Sequence, residues 1–196
     1  MPTKEPLELE DLIRDLLYRF GEDPDREGLQ KTPRRMAEIL DELTQGYRVS
    51  PEDVVAGAIF PVEYDEMVVL KDVSFYSLCE HHMTPFFGKI HVGYIPKGKV
   101  LGTSKIPRII EIFSKRLQLQ ERMTEEIAHF LEKTIQPLGV GVVAEGFHLC
   151  MAMRGVRKEE ARLITSAMKG SFRKDPRTRA EFLQLIGRTE LHLGRL

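Results

Sequence analysis

The sequence predicts an α+β fold, with a helical N-terminal region over residues 1–66 and an antiparallel four-stranded sheet carrying two helices, in the order ββααββ, over 67–196. Three observations predict it. Apolar residues in the first third recur at helical spacing. From Met67 the chain turns rich in Val, Phe and Tyr and begins to alternate, which favours strands. The strands come in clusters and do not alternate singly with helices, which argues for antiparallel pairing.

Taken in order, Leu9, Leu12, Ile13, Leu16, Leu17 and Phe20 form a helical stripe that Gly21 stops. Thr32 is the expected N-cap of a second helix, with Pro33 at its first position and Met36, Ile39, Leu40 and Leu43 on one face. Ser50-Pro51-Glu52-Asp53 repeats the start signal, with acids near the positive helix end. Residues 67–78 read as a strand. Residues 86–95 read as another, with Ile90, Val92 and Tyr94 on one face and Lys89 and His91 on the other; a turn follows at 95–99. Ser104 is the expected cap of a helix bearing Ile106, Ile109, Ile110 and Phe113, with Pro107 tolerated in its first turn. Met123, Ile127, Phe130 and Leu131 mark the next helix, closed by Pro137-Leu138-Gly139. Residues 140–153 and 162–169 return to strand character, and Asp175-Pro176 opens a last helix with Phe182 and Ile186.

Composition narrows the classes. With 196 residues, 42% hydrophobic and 30% charged, the chain can build a core without disulfides or metal. Disorder is excluded, and the longest apolar runs, such as 67–70, fall far short of the ~20 residues a membrane helix needs. No signal-peptide pattern opens the sequence, and two cysteines cannot make a disulfide scaffold, so a reducing cytoplasm is expected. There is no repeat and no low-complexity segment. The net charge of −1 conceals a balance of −9 over residues 1–70 and +8 over 71–196. That asymmetry fits either an anionic ligand on the basic part or two oppositely charged layers.

Both cysteines have histidine beside them, in Cys79-Glu80-His81-His82 and in His148-Leu149-Cys150. Three of the six histidines lie within three residues of a cysteine, where random placement would put about 0.4. In a turn, Cys79 and His82 can reach one ion while His81 points elsewhere. On a strand, His148, Cys150 and Arg154 share a face, with Phe147, Leu149, Met151 and Met153 on a core-like face. Two thiolates and an imidazole select zinc before magnesium or calcium. Three protein ligands leave a position for water, whose pKa zinc lowers towards ~7. His81 and His148 are then free to move protons. A Cys79–Cys150 disulfide, a closed structural zinc site with a fourth histidine, and two buried cysteines acting as small hydrophobes are the alternatives. The zinc deaminase pattern, His-x-Glu with Pro-Cys-x-x-Cys, is absent.

Ser104, Lys105 and Arg108 sit at an expected helix start, where free N–H groups favour phosphate. Arg154 and Arg157 follow the second cysteine. Arg34 and Arg35 lie in a first helical turn, where positive charge opposes the helix dipole. A solvated charged face accounts for any one of them; their convergence on a metal site would not be so explained. No Walker loop or dinucleotide fingerprint is present, so a nucleotide would be gripped by side chains. In Gln120-Glu121-Arg122, the Glu121 carboxylate can accept two N–H bonds from a guanine-like edge, or simply cap a helix.

These motifs resemble the GTP cyclohydrolase I family of the tunnelling (T-fold) superfamily. The resemblance runs roughly from Thr32 to Ile186. It rests on Ser77-Leu78-Cys79-Glu80-His81-His82, Gly102-Thr103-Ser104-Lys105-Ile106, Gln118-Leu119-Gln120-Glu121-Arg122 and the run from His148 through Cys150 to Arg154 and Gly155. It implies hydrolysis of GTP to 7,8-dihydroneopterin triphosphate and formate, the entry to folate and pterin synthesis. It implies zinc on Cys79, His82 and Cys150, and proton transfer by His81 and His148, with Ser104 near the ribose. It implies Glu121 with Gln120 at the guanine edge, and Lys105, Arg108 and Arg154 around the triphosphate, joined by Arg35 from a neighbouring subunit. The implied assembly is a toroidal homodecamer of two pentamers, with no nucleic-acid or membrane partner. A structural-zinc protein that binds GTP without turning it over is the alternative from another class.

Overall fold

The computed structural model describes residues 8–187, so the N-terminal pattern at Met1-Pro2-Thr3-Lys4-Glu5 lies outside the described residues. The chain divides into two compact units, one ending at Thr44 and the other beginning at Gln45.

The first unit packs α1 (Leu9–Arg19) against α2 (Thr32–Leu43). Acids in the first turn of α1 and Arg19 in its last complement the helix dipole. Thr32 is not the cap expected from sequence. It is the first helical residue, Lys31 takes the cap position, and no side chain caps the helix. Pro33 at the start needs no N–H partner, so little is lost.

The second unit opens with a 3-10 turn at Gln45–Tyr47 and the short helix α3 (Pro51–Val55), where Ser50 Oγ accepts from Asp53 N–H as its sequence promised. The strands follow: β1 (Ile59–Pro61), β2 (Val68–Cys79), β3 (Pro85–Ile95) and β4 (Lys99–Leu101). Helix α4 (Lys105–Ser114) comes next, then β5 (Leu117–Gln118), α5 (Gln120–Ile135) and β6 (Gly139–His148). Helix α6 (Leu149–Ala152), β7 (Leu163–Gly170), α7 (Ser171–Lys174) and α8 (Pro176–Ile186) complete the described chain.

The α+β class holds, and the sheet has five strands where the sequence suggested four. Its order is β5-β2-β3-β6-β7. The four long strands pair antiparallel, while the two-residue β5 adds a parallel edge to the end of β2. A separate two-stranded ribbon joins β1 to β4. Alternation along the central strands sends residues to two cores. Ile90, Val92, Tyr94, Val140, Val142 and Ala144 face α4 and α5, whose Ile106, Ile109, Ile110, Met123, Ile127 and Leu131 fill the main core. Val143, Val69, Ile95 and Met168 instead meet Phe172 and Phe182 from α7 and α8. Those rings lie so close to the sheet that a Cβ on Gly93 would sit 2.7 Å from Phe182. A bulge between Leu70 and Val73 re-phases β2, with Asp72 at φ 61° donating its N–H to the buried His91 Nδ1 at 3.0 Å.

Two further local expectations change. The strand expected over 140–153 ends at His148, and the chain winds into α6. Met151 and Met153, assigned from alternation to a core face, are exposed. Ser104 occupies the cap position of α4, yet its hydroxyl makes no cap hydrogen bond. Asp175 does cap α8, accepting from Arg177 N–H.

Candidate metal centre and active site

The site grows from the end of β2. Cys79 is the strand's last residue, and its N–H donates to Thr84 O at 2.9 Å across the turn to β3. Within that turn the N–H groups of His82 and Met83 return to Cys79 O at 3.3 and 2.8 Å, and Met83 takes φ 52°. The tight return brings His82 Nδ1 to 3.7 Å from Cys79 Sγ. Cys150 arrives from α6. The ligand atoms of Cys79, His82 and Cys150 all lie within 4.8 Å of one another.

This donor set suits a metal ion. Metal–sulfur bonds of about 2.3 Å in tetrahedral geometry place two sulfurs about 3.8 Å apart, so the trio needs only modest closure. Both cysteines are free, which sets the disulfide alternative aside. Burial pushes the Cys150 thiol up, and the adjacent Cys79 sulfur pushes it further; a cation between them would reverse both effects. Among the described residues, no fourth His, Cys, Asp or Glu joins the group. His81 turns aside, its ring centroid 6.1 Å from that of His82.

His148 closes β6, stacked on Phe86 with ring centroids 4.5 Å apart and planes 10° from parallel. Its Nε2 lies 2.9 Å from Gln120 Oε1. The Gln120 amide is buried, and its Nε2 donates to Ala144 O, Leu163 O and Thr165 Oγ1 at 3.1, 2.9 and 3.2 Å. With the amide nitrogen committed to three acceptors, the amide oxygen faces the ring and can only accept. The network therefore assigns the hydrogen of neutral His148 to Nε2 and leaves Nδ1 as the nitrogen that takes up and gives a proton. Burial holds this imidazole below the usual histidine range, with the Glu121 carboxylate pulling the other way.

The structure thus gives Gln120 a part absent from the sequence reading. Its side chain is engaged inside the fold as the support of His148, whereas the exposed Glu121 beside it presents a carboxylate to solvent. Ser104, Lys105 and Arg108 gather at the start of α4, and Arg108 borders two cavities of about 220 and 210 Å³ together with Glu111. Arg154 and Arg157 are exposed in the turn after α6. Among the described residues no hydrogen bond or ion pair joins these cations to the Cys–His trio. Arg35 belongs to the first unit, where with Lys31, Arg34 and Glu38 it lines a cavity of about 300 Å³.

Sequence reasoning passed over Glu80 and Arg122, although both stand inside quoted motifs. Arg122 forms an ion pair with Glu80 and donates to Gln118 Oε1 and Leu117 O at 2.9 and 3.2 Å. It thereby ties the ligand-bearing turn to the start of α5. Glu80, His81, Arg116 and Arg122 line a groove of about 700 Å³ on this side. The signal was available in the spacing: Glu80 lies between two site residues, and Arg122 follows Glu121 directly.

Comparison with known proteins identifies the family. The family model described as GTP cyclohydrolase I matches residues 9–187. The chain is 54% identical to the GTP cyclohydrolase 1 of Chlorobaculum tepidum, covering 90% of this chain and 79% of that protein. It is 52% identical to the enzyme of that name from Leptospira biflexa, covering 94% and 100%. For one from a Synechococcus strain the figures are 57%, 89% and 76%. Among solved structures, the archaeosine synthase QueF-Like in its apo form aligns at TM-score 0.47 and 19% identity, over 55% of this chain and 97% of that one. A match through nearly every described residue, and identities above one half over most of each chain, show that the chain belongs to the GTP cyclohydrolase I family.

Proposed function

We propose that the chain converts GTP and water to 7,8-dihydroneopterin triphosphate and formate, the first step of tetrahydrofolate and pterin synthesis, at a zinc centre held by Cys79, His82 and Cys150. The observation that carries this reading is the convergence of those three ligand atoms within 4.8 Å, from segments some seventy residues apart. Two sulfurs and one imidazole favour zinc over hard cations, and a three-ligand set leaves room for water. When bound, zinc supplies activated water for hydrolysis near neutral pH.

The chain's own residues divide the remaining work. His148, held at Nε2 by Gln120, presents Nδ1 to protonate the five-membered ring of guanine and so assist its opening. His81 and Ser104 move protons at the ribose as it opens, rearranges and recloses. Glu121 accepts N–H bonds from the guanine edge; Gln120 contributes by aiming His148, since its own amide is already satisfied. Lys105, Arg108 and Arg154, with Arg35 from a neighbouring subunit, hold the triphosphate without cleaving it. Such positioning can supply ~7–11 kcal/mol of the barrier reduction. Every one of these residues except Arg35 lies beyond residue 66, so 67–196 is the catalytic, tunnelling-fold part of the chain, and 1–66 the helical part that precedes it. The working form is a toroidal homodecamer of two pentamers in the cytoplasm, with neither nucleic acid nor membrane as partner. No described helix is long and apolar enough to cross a membrane.

Incubation with GTP and zinc tests the reading. Formate released in step with a pterin fluorophore supports it. Intact GTP with bound zinc would instead support a structural-zinc, nucleotide-binding protein, and GDP with phosphate would overturn the chemistry altogether.

A further inference from the structure

Behind Gln120 the hydrogen bonds run on into two threonines. Thr165 lies on β7, opposite Ala144 of β6. Thr124 lies one turn along α5 from Gln120 and is buried. Gln120 Nε2 is 3.2 Å from Thr165 Oγ1, and Thr165 Oγ1 is 2.7 Å from Thr124 Oγ1. Thr124 Oγ1 is in turn 2.7 Å from the main-chain oxygen of Gln120. The bonds form a ring that leaves Gln120 by its side chain and returns to it by its backbone.

The direction of each bond follows from the hydrogens available. The Gln120 carbonyl can only accept, so the single hydroxyl hydrogen of Thr124 points to it. Thr124 can then only accept from Thr165, whose single hydrogen is thereby committed. Thr165 has only lone pairs left for Gln120, and Nε2 must face it. A reversed amide would set Oε1 against the oxygens of Ala144, Leu163 and Thr165, none of which has a hydrogen to give. Oε1 is therefore held towards His148. Met123, Ile127 and Leu131 of the same helix build the main core, where packing alone would be served by valine at position 124. The hydroxyl is what the ring requires.

Resting on the reaction proposed above, we propose that Thr165 and Thr124 are positioning residues for His148, acting through Gln120. Together they fix which end of the amide meets the imidazole, and so which ring nitrogen carries the hydrogen. The groups that meet Nε2 come from β6 and β7, and Thr124 keeps one of them, Thr165, an acceptor. Because two carbonyls also hold Nε2, loss of one hydroxyl loosens the amide without freeing it.

The test compares the full chain with Thr165→Val, Thr165→Ser and Thr124→Val, and places Thr165→Val in a Gln120→Ala background as well. Turnover number and KM for GTP, zinc content and melting temperature are measured for each. Thr165→Val and Thr124→Val should each lower the turnover number by roughly three- to tenfold, the effect of one buried neutral hydrogen bond, with KM and zinc content unchanged. Thr165→Ser restores turnover. In the Gln120→Ala background Thr165→Val adds nothing, because the residue it acts through is gone. Neutron diffraction from parent crystals grown in D2O reads the ring without turnover: the Thr165 deuteron points to Thr124, and a deuteron stands on His148 Nε2. A Thr165 deuteron directed at Gln120 overturns the inference, as does turnover within twofold of the parent in Thr165→Val. An equal loss in the Gln120→Ala background, or one that tracks a lower melting temperature and is unrelieved by serine, assigns Thr165 a packing role and overturns it too. A parent chain that forms no pterin overturns the reaction and the positioning role together, whereas variants that lose nothing in an active parent overturn the positioning role alone.

Discussion

Gly146→Ala is the perturbation that probes the Gln120–His148 support most directly. Gly146 lies in β6 between Gly88 and Leu163. A Cβ added there would sit 2.1 Å from Gln120 Oε1, 3.1 Å from its Cδ and 3.4 Å from His148 Nε2. Ordinary contact requires about 3.5 Å, so the amide oxygen must withdraw by roughly 1 Å or more. A surface glutamine would swing away at little cost. This one is pinned by the two N–H groups of Nε2, shared among three acceptors, and retreat either breaks the bond to His148 or pulls the nitrogen off the carbonyls of Ala144 and Leu163. Overpacking costs about 1–3 kcal/mol, and each buried group left unpaired a similar amount, so a loss of about 2–4 kcal/mol in folding stability is expected after relaxation.

The catalytic effect should exceed the structural one. A reacting group displaced by about 1 Å can lose 10²-fold in rate, and the new methyl touches the support of His148 while leaving the metal trio alone. The expected outcome is therefore a turnover number down by about two orders of magnitude with full zinc content, measured well below the variant's melting temperature. Gly146→Ala combined with Gln120→Ala should recover stability relative to the additive sum, because the clash is gone, without recovering turnover. Unchanged turnover in Gly146→Ala would refute the claim that Gln120 aims the imidazole.

His148→Ala should abolish formation of the pterin product and keep its zinc, whereas Cys150→Ala should lose both; a Cys150→Ala protein that retains zinc would sink the ligand assignment. His91 gives a pH dependence unconnected with catalysis. Burial holds its imidazole below the usual range, nearby Asp72 opposing, and its Nδ1 accepts the Asp72 N–H. The native state thus binds fewer protons than the unfolded chain. The stability it contributes is full above the unfolded pKa of about 6.5 and is lost as the pH falls through the lower native value. Denaturant titrations at several pH values should show a shallower acid-side decline in His91→Gln than in the parent, and equal slopes would count against it. Phe182→Ala empties the second core and should cost ~3–5 kcal/mol by chemical denaturation, with a loss below ~1 kcal/mol showing that α8 does not close that face.

What was legible in the fold follows from range of interaction. Ser50 and Asp175 cap as their sequences suggest because an Asx- or Ser-type cap is decided within three residues. The β1–β4 ribbon was not foreseen: Ile59–Pro61 is three residues long and exists by pairing with a segment forty residues on. The same holds for β5, a two-residue strand that owes its geometry to the end of β2. Thr32 and Ser104 carried the right side chains for caps, yet neither makes a side-chain cap bond, because Thr32 is already the first helical residue and Ser104 has helical backbone angles.

The sequence reading grouped Cys79, His82 and Cys150, and their ligand atoms do lie together, although part of the local reasoning behind that grouping failed. Strand alternation grouped His148, Cys150 and Arg154 on one face, but the strand stops at His148 and Cys150 is presented by a helical turn. The two residues accordingly separate in role: His148 turns to Phe86 and Gln120, and Cys150 to Cys79 and His82. Convergence survives because it is set by topology. Strands β2 and β6 are both antiparallel to β3, so they run the same way and end at the same edge of the sheet. They are separated by one strand, a gap of roughly 10 Å at 4.7–4.9 Å per strand. The Cys79–His82 turn extends from one end and α6 from the other, and together they close that gap to within 4.8 Å. A clustering of cysteine and histidine at two points in a sequence reports on such a meeting place whatever the local winding, which is why it was the sounder part of the sequence reading, and why the direction of Gln120, set wholly by β6 and β7, was beyond it.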